Sequence, residues 1–313
     1  MSIDLKPLAT IRRLLFEVAL QPMQGKRFQP TGFPDLGAAT YQAGGTACLL
    51  VESAQSMANR LEETLWDSGK QSPVDAANGI SYVVVKDDSG DYLTSSITES
   101  HRLNSPYILE SSDRTFVDAL KKELGVQESG PIDRTAFTKA LMKFDINALL
   151  HGVFLAKKDL AGGRLRLARA ISSFVEAENI ATAASGGVKN DHVDPSGDTA
   201  KGFGNVPFHR EEFTAEKITA FFSVDLQQIR SYGLGDDPTH LLIVLALFKI
   251  RSLLDGDMRL RTACDFKPVS EKIVARNPGA YELPAMDVLS IELKAAIVNC
   301  KANMTVTTVT YKK

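Results

Sequence analysis

The alternation of apolar and polar residues predicts several β-strands along the chain. Residues 14–20 form a possible first strand, and residues 47–52 (ACLLVE) form a plausible buried strand. Residues 80–86 (ISYVVVK) predict another strand, which the turn DDSGD follows. In residues 218–226 the apolar side chains recur at every second position and therefore share one face of a strand. The β-branched tail MTVTTVTY suits a closing strand.

Helical spacing of apolar residues predicts helices between these strands. Ser53 is a natural N-cap for a helix whose apolar residues line one face as far as Leu65. Asp113 is expected to cap a second helix, which Gly125 ends. The pattern predicts a third helix over about residues 134–150.

The longest apolar run, LLIVLALF at residues 241–248, predicts a buried helix. Asp237 and Pro238 precede it and are expected to serve as its N-cap and first residue. The run is too short to span a bilayer, which takes ~20 residues. We therefore expect no association with a membrane.

Two glycine-containing segments predict connections of different length. Residues 151–170 predict a β-hairpin, in which an apolar strand and an alternating strand flank Gly162 and Gly163. Residues 184–212 are rich in glycine, which predicts a long loop that is either functional or disordered. Because strands and helices are interspersed and include a hairpin, the order favours an α+β fold with an antiparallel sheet.

Composition limits the classes of function that remain. The 313 residues are 44% hydrophobic, which is ample for a sizeable core. The formal net charge is −2, so any nucleic-acid site must be local. Cys48, Cys264 and Cys300 are far apart, which argues against a disulfide framework or structural zinc and for a reducing cytoplasm. The stretch MSIDLKPLATIRR lacks the apolar core of a signal peptide, so we expect a cytoplasmic location.

No motif of a known catalytic or cofactor site is present in the sequence. The five histidines are scattered without HExxH, and there is no GxSxG, Walker A or GxGxxG followed by a helix. We therefore expect neither a metal nor a cofactor. Asp35, in FPDLG, is either a turn residue or, as the rival interpretation, a general base or metal ligand.

Paired arginines are the first local signal for nucleic acid. GRLRLAR predicts Arg164 and Arg166 on one strand face, and residues two apart on a strand are separated by ~6.6 Å. MRLRTA repeats the pattern with Arg259 and Arg261. Such pairs can neutralise successive phosphates and supply salt-dependent affinity without base specificity. The alternative interpretation is a solvated strand face.

The loop GKRFQPTGFPDLGAATY, at residues 25–41, follows neither a helical nor a strand period. Its glycines permit close approach, Lys26 and Arg27 can face phosphate, and Phe28 offers a ring. The helix that begins near Ser53 presents free backbone N–H groups that favour anions, and Arg60 can complete that site. The loop is therefore predicted to contact an anionic ligand.

Two further stretches carry residue types that suit RNA. KGFGNVPF, at residues 201–208, resembles the RNP1 pattern, but Asn205 and Pro207 depart from it, so we do not expect that strand. Phe203 still suits stacking and Lys201 suits phosphate. HRLNSPY, at residues 101–107, adds an imidazole and a cation beside a proline.

Taken together, QGKRFQPTGFPDLGAATY, LLVESAQSMANRLE, HRLNSPYIL, GGVKND…KGFGNVPFHREEFTA and RLRTACDF resemble one family. It is the backbone subunit of the CRISPR Cascade complex, the seventh Cas protein family, in its type I-G (formerly I-U) form within the RAMP superfamily. The resemblance runs from about residue 16 to about residue 270.

The resemblance implies a single domain over residues 1–313 with a modified RNA-recognition-motif fold. It implies a ferredoxin-like antiparallel palm, a helical insertion and a protruding thumb, a loop or hairpin that we assign to residues 186–210. Such subunits stack along CRISPR RNA, flip a base at intervals and present the others to target DNA. The expected partners are further copies, the large subunit, a Cas5/Cas6-like subunit and a recruited helicase-nuclease that cuts. The protein itself is expected not to be an enzyme.

The resemblance also carries a rival, because related type III backbone subunits cleave target RNA with an aspartate in a loop after the first strand. Asp35 lies in a comparable place, so metal-dependent RNA cleavage by Asp35 is the alternative. The candidate RNA-binding residues are Lys26, Arg27, Phe28, Gln29, Arg60, His101, Arg102, Arg164, Arg166, Lys189, Lys201, Phe203, His209, Arg210, Arg259 and Arg261.

Overall fold

A computed structural model describes residues 3–33, 35–125 and 131–312. The strands, in chain order, are β1 (Arg13–Pro22), β2 (Gly32–Phe33), β3 (Gly37–Ala38), β4 (Thr40–Ala43), β5 (Thr46–Glu52), β6 (Trp66–Asp67), β7 (Ser72–Pro73), β8 (Tyr82–Lys86), β9 (Tyr92–Ser95), β10 (Val153–Leu155), β11 (Leu165–Leu167), β12 (Ile171–Glu178), β13 (Ala181–Lys189), β14 (Val206–Thr214), β15 (Lys217–Asp225), β16 (Arg259–Arg261), β17 (Cys264–Pro268) and β18 (Val306–Thr310). The α-helices are α1 (Ala54–Glu63), α2 (Pro106–Leu109), α3 (Thr115–Leu124), α4 (Arg134–Phe144), α5 (Ile146–His151), α6 (Leu226–Ser231), α7 (Asp236–Asp255) and α8 (Met286–Cys300).

The main sheet has the strand order β16-β17-β1-β15-β12-β5-β4, and each neighbouring pair is antiparallel. The strands predicted at residues 14–20, 47–52 and 218–226 are confirmed as β1, β5 and β15. Ile218, Ala220, Phe222 and Val224 are all buried, as their alternation predicts. The predicted α+β class with an antiparallel sheet is therefore confirmed.

A second sheet has the order β18-β8-β9 and contains the predicted closing strand. β8 and β9 flank the predicted DDSGD turn, where the Asp87 carboxylate accepts hydrogen bonds from the backbone N–H groups of Ser89 and Asp91. β18 runs parallel to β8, so the end of the chain lies outside the main sheet. Its β-branched sequence predicts a strand but does not specify the partner.

Capping residues fix the start of α1 and the end of α3. The Ser53 hydroxyl accepts a hydrogen bond from the backbone N–H three residues later at 3.2 Å, as predicted. Gly125 ends α3 with φ 58°, a conformation that glycine adopts without a steric penalty. The N-cap of α3 is Arg114 rather than Asp113, although the Asp113 carboxylate accepts a hydrogen bond from Thr115 N–H at 3.0 Å.

The prediction of a single helix over residues 134–150 is wrong. α4 ends at Phe144 and α5 begins at Ile146, with extended backbone at Asp145 between them. The Asp145 carboxylate accepts hydrogen bonds from the backbone N–H groups of Asn147 and Ala148 at 3.0 and 3.3 Å. An aspartate N-cap thus starts a new helix, although the apolar pattern continues across the break.

α7 contains the buried apolar run, but it begins earlier than the sequence predicts. Gly235 is the N-cap with φ 94°, so Asp236 and Asp237 both lie in the first turn, where the helix dipole favours carboxylates. Pro238 is accepted there because the first N–H groups of a helix have no partner within it. Within the described residues, no helix combines the length and apolar character that crossing a bilayer requires.

The hairpin predicted over residues 151–170 is confirmed with shorter strands. β10 and β11 pair antiparallel, and residues 156–164 connect them. Gly162 and Gly163 have φ 67° and 70°, but they end this longer connection and do not form a two-residue turn. A Cβ at Gly163 would lie 2.6 Å from the Ala156 carbonyl oxygen, so the return of the chain requires glycine.

The long loop predicted over residues 184–212 is wrong. β13 and β14 form an antiparallel hairpin there, with residues 190–205 as the connection. A Cβ at Gly186 would lie 2.7 Å from the Phe208 carbonyl oxygen, so this glycine permits the close pairing of the two strands. Glycine content alone therefore misled the interpretation as a loop.

Candidate nucleic-acid interface

The loop between β1 and β2 is fixed to the sheet by backbone hydrogen bonds. Phe28 and Phe213 exchange N–H···O bonds of 2.9 and 2.8 Å, which join the loop to the base of β14. Gln29 N–H donates to the Ala263 carbonyl at 2.8 Å, which joins it to the turn between β16 and β17. These hydrogen bonds hold the loop on the surface between the hairpins β13–β14 and β16–β17.

Phe28 anchors this loop from inside the protein. Its side chain is 1% exposed and meets Phe266 edge-on at a centroid distance of 5.5 Å. The expectation that Phe28 offers an exposed ring is therefore wrong. Its burial follows from the two strand-like hydrogen bonds to Phe213, which turn the side chain toward the core.

Lys26 and Arg27 line a cleft of about 820 Å³ together with Arg259. All three residues are exposed. Lys26 and Arg27 come from the loop after β1, whereas Arg259 comes from β16, more than two hundred residues later in the chain. The fold therefore brings together three predicted cations that the sequence places in two separate motifs.

A buried carboxylate, Glu212, holds two of the predicted arginines beside this cleft. Glu212 is 5% exposed, and its carboxylate lies 3.6 Å from Arg27 Nε and 3.0 Å from Arg210 Nη2. The Arg27 side chain remains more than half exposed in this ion pair. The pairing fixes the direction of the Arg27 guanidinium and leaves part of it available to a ligand.

A second buried carboxylate, Glu52, holds Arg60 and Arg261. Glu52 is 1% exposed; Arg60 Nε lies 3.8 Å from its carboxylate, and Arg261 forms an ion pair with it. Arg60 also donates to the Arg259 carbonyl at 3.2 Å, and burial lowers the pKa of Arg60. These contacts join β5, α1 and β16 into one wall behind the cleft.

The prediction that Arg259 and Arg261 form an equivalent pair on one face of a strand is wrong. Arg259 is exposed, whereas Arg261 is half-buried and donates to the carbonyl oxygens of Gln29 and Val51 at 3.1 and 3.2 Å. The register of β16 against β17 shifts between the two arginines. This irregularity breaks the alternation on which the sequence interpretation rests.

The start of α1 lies beside a different arginine from the one expected. Arg169 Nη1 donates to the Ala54 carbonyl at 3.3 Å, and its other terminal nitrogen donates to Gln55. The lining of the cleft that contains Lys26 and Arg27 includes no residue of α1. Arg169 belongs to GRLRLAR, but strand periodicity selects only its first two arginines.

His101 and Arg102 are neighbours in sequence with opposite environments. His101 is exposed, whereas Arg102 is buried and donates two hydrogen bonds of 2.6 Å to the carboxylate of Glu62. The expectation that Arg102 is a surface cation is therefore wrong. Arg102 adopts φ 52°, which directs the chain into a short turn before α2.

Arg164 and Arg166 do not form the predicted pair on one strand face. Arg164 precedes β11 in helical backbone, and its Nε donates to the Ala161 carbonyl at 2.9 Å. Arg166 lies within β11, is exposed, and is paired opposite Phe154 of β10. Phe154, also exposed, is a candidate that the sequence analysis missed because FL in HGVFLAKK was assigned only to an apolar strand.

The hairpin β13–β14 carries the remaining predicted residues. Lys189, Lys201, Phe203 and His209 are exposed on it. Lys201 and Phe203 lie in the connection, and Pro207 falls in a two-stranded ribbon, where the loss of an N–H donor is tolerated. The RNP1-like stretch is therefore not a central strand of the main sheet, in agreement with the sequence analysis.

Asp35 occupies an exposed turn between β2 and β3, as the turn interpretation predicts. Pro34, beside it, lies outside the described residues. Across the described ranges, no three His, Cys, Asp or Glu side chains are grouped so that they could hold a metal ion.

The chain matches a known protein family. The profile of the family described as CRISPR-associated protein GSU0053 matches residues 14–182, more than half of the chain. No curated protein matches the chain.

Three solved structures are similar to the chain at low identity. A chain of a CRISPR RNA-guided surveillance complex, pre-nicking, is 13% identical with a TM-score of 0.42, over 83% of this chain and 77% of that one. Csc2 of Thermofilum pendens is 10% identical with a TM-score of 0.35, over 95% and 79%. A further CRISPR RNA-guided surveillance complex chain is 14% identical with a TM-score of 0.28, over 77% and 71%.

All three TM-scores lie below 0.5. The family match includes β1, the loop after it, α1, β10 and β11, and it ends at the beginning of β13. It thus covers Lys26 and Arg27, and also Arg60 and Arg102, which pair with buried carboxylates. The chain belongs to the family of CRISPR-associated protein GSU0053, and is a Cas7-type CRISPR backbone protein.

Proposed function

We propose that the protein is a non-catalytic subunit of a type I-G Cascade complex that binds CRISPR RNA. Copies of it polymerise along the guide RNA and present it for pairing with target DNA in antiviral defence. The observation that carries this proposal is the cleft to which the loop after β1 contributes exposed Lys26 and Arg27 and β16 contributes exposed Arg259; the carboxylates of Glu212, Asp257 and Asp265 also line it. Family membership supplies the CRISPR context.

The chemistry of the cleft suits a ligand of varied sequence. A backbone subunit must bind any guide, so it has to recognise phosphates, sugars and shape rather than base edges. Lysine and arginine side chains neutralise phosphates without reading sequence. The buried Glu212 supports this role, because it positions Arg27 and leaves more than half of that side chain exposed.

The predicted RNA-binding residues take two roles in this proposal. Those that are exposed contact the nucleic acid directly, although Arg27, Lys201 and Arg259 also form ion pairs with carboxylates; they are Lys26, Arg27, His101, Arg166, Lys189, Lys201, Phe203, His209 and Arg259. Those that are buried or half-buried hold the surface in shape; they are Phe28, Gln29, Arg60, Arg102, Arg210 and Arg261. Arg164 stays a candidate RNA-binding residue.

The architecture supports a hand-shaped subunit. We assign the palm to the main sheet, as a modified RNA-recognition-motif fold, and the helical insertion to α2–α5. The thumb is the hairpin β13–β14, with residues 186–210 at its core and apolar side chains exposed on it. Buried apolar residues from Leu8 to Val309 form one contiguous cluster, which supports a single domain over residues 1–313.

The proposed partners follow from the same assignment. They are CRISPR RNA, further copies of the chain, the Cascade large subunit, a Cas5/Cas6-like subunit and the recruited helicase-nuclease. No observation in the described residues favours the rival, cleavage by Asp35, because Asp35 stands at a turn tip and belongs to no metal-binding group.

Salt-titrated binding to single-stranded RNA tests the proposal. We expect the affinity of the full-length protein to fall steeply as KCl rises, with a slope of about 0.7 per neutralised phosphate. Lys26→Ala/Arg259→Ala should reduce that slope by about 1.4, because two cations are lost. Lys272→Ala/Lys294→Ala removes two exposed lysines outside the cleft and is the matched control. Absence of RNA binding, or equal slopes for both double variants, contradicts the proposal.

A further inference from the structure

A second pocket, of about 400 Å³, opens where the end of α5 meets the hairpin β10–β11. Three arginines contribute to it: Arg102, Arg166 and Arg169. His151 and Phe154 are also among its lining residues, and no carboxylate is. None of these residues lines the cleft that contains Lys26, so the pocket is a separate feature of the surface.

His151 is buried beside this pocket. Its side chain is 1% exposed, and its Nε2 lies 2.9 Å from Lys249 Nζ. Lys249 Nζ donates to Asn147 Oδ1 at 2.5 Å and to the Leu61 carbonyl at 3.3 Å.

His151 adds no charge to the pocket. Burial, together with the charges of Lys249, Arg102 and Arg169, lowers the pKa of His151 well below its usual value, so the ring stays neutral. Its Nδ1 is enclosed by the protein and has no hydrogen-bond partner among the described residues. The positive charge of the pocket therefore comes from its arginines.

The arginines of the pocket carry more charge than their protein partners neutralise. Arg102 is paired with Glu62 beneath the pocket. Arg169 donates to the Ala54 carbonyl and the Gln55 side-chain oxygen, which are neutral acceptors. Arg166 is exposed, and within the described part of the chain it forms no ion pair with a carboxylate. Arg166 and Arg169 therefore leave two positive charges for a ligand.

An aromatic ring stands beside this charge. Phe154 and Arg166 are directly opposite each other in the β10–β11 ladder, and both side chains are exposed. Directly opposite residues have Cβ atoms about 4.5–5.5 Å apart. A ring for base stacking next to a guanidinium for phosphate is the combination that binds single-stranded nucleic acid.

We infer that this pocket binds one phosphodiester group of a single-stranded nucleic acid, with the adjoining base stacked on Phe154. The phosphate oxygens accept from Arg166 and Arg169. This inference rests on the proposed function, because it takes the same strand that the cleft binds. α1 connects the pocket to the cleft. Arg169 contacts Ala54, the first residue of α1, and Arg60, six residues later in the helix, contacts Arg259. Six residues span about 9 Å along the helix axis.

The experiment uses the full-length protein and single-stranded RNA that contains 4-thiouridine. Arg166→Ala should lower the salt slope by about 0.7, the value for one phosphate. Phe154→Ala should weaken binding on the order of tenfold and leave the salt slope unchanged, because stacking involves no counterion. Both side chains are exposed, so both variants are expected to keep the thermal unfolding midpoint of the wild type. Lys272→Ala is the matched control for the loss of one exposed cation.

The outcomes separate this inference from the proposed function. If the wild type does not bind RNA, the proposed function fails. If it binds RNA and Lys26→Ala/Arg259→Ala weakens binding, but Arg166→Ala and Phe154→Ala behave like Lys272→Ala, only the pocket assignment is overturned. A crosslink from 4-thiouridine to the peptide that contains Phe154 supports the assignment. The pocket can also be tested with inorganic phosphate alone. If phosphate raises the thermal unfolding midpoint of the wild type but not of Arg166→Ala, and Arg166→Ala binds RNA as the wild type does, the pocket binds free phosphate and the nucleic-acid ligand is overturned.

Discussion

Glu62 accepts two hydrogen bonds of 2.6 Å from the guanidinium of Arg102, and both side chains are buried. Glu62 also accepts a hydrogen bond from the Asn147 amide at 2.9 Å, which connects α1 to α5. Removing one partner of a buried ion pair leaves the other charge without compensation and costs about 3–5 kcal/mol. This pair is therefore a structural element beneath the second pocket.

Arg102→Ala is expected to lower the free energy of unfolding by about 3–5 kcal/mol, because Glu62 would remain buried and charged. Urea denaturation followed by circular dichroism measures this loss. Glu62→Gln/Arg102→Met removes both charges and should recover part of the stability. An unchanged midpoint for Arg102→Ala would show that the pair is not buried as described.

Phe28→Ala is expected to lower the free energy of unfolding by about 3–5 kcal/mol, since a buried aromatic ring leaves a cavity when it is removed. The matched control is Phe203→Ala, because Phe203 is exposed in the connection of the thumb hairpin. Thermal and urea unfolding of both variants provides the comparison. Equal effects of the two substitutions would contradict the anchoring role of Phe28.

The pH dependence of stability should report on Asp145. Burial, reinforced by the charge of Glu62, raises the pKa of Asp145 to about 7. In the unfolded chain an aspartate has a pKa near 3.9. Between these values the folded state keeps a proton that the unfolded state has lost, so this contribution to stability is full below about pH 4 and is lost as pH rises through about 7.

Asp145→Asn cannot ionise and keeps an oxygen for the N-cap of α5. We expect the free energy of unfolding of the wild type to fall relative to that of Asp145→Asn between pH 5 and pH 8. Urea denaturation at intervals across this range measures the difference. A difference that is constant with pH would contradict the raised pKa.

Asp35 provides a test of the non-catalytic assignment. The assembled complex, incubated with RNA complementary to its guide and with magnesium, is expected to leave that RNA intact. Gel analysis of labelled RNA reads the result. Cleavage by the wild type that disappears in Asp35→Asn would establish the rival function.

Local chemistry in the sequence predicts a good part of the fold. The alternation in β15, the Ser53 N-cap and the αL glycine at residue 125 each depend on neighbours within a few residues, and each is confirmed. The break at Asp145 was not predictable from apolar periodicity, because the pattern continues through both helices. Gly186 was interpreted as a loop residue because loops favour glycine. The close pairing of two strands favours glycine as well, and this is its role here.

The candidate site was predictable in composition but not in burial. Lys26, Arg27 and Arg259 line one cleft. Arg261 and Arg102 instead form ion pairs with Glu52 and Glu62, which are distant from them in sequence. Such ion pairs depend on tertiary packing, so a strand or turn pattern cannot reveal them.

The most direct test of the central claim is a map of crosslinks between the assembled protein and 4-thiouridine-substituted guide RNA, read by mass spectrometry. Crosslinked peptides that contain Lys26 and Arg27 and peptides that contain Arg259 are the predicted result, since these residues line one cleft. Abundant crosslinks that avoid both peptides would contradict the assignment of that cleft to guide RNA.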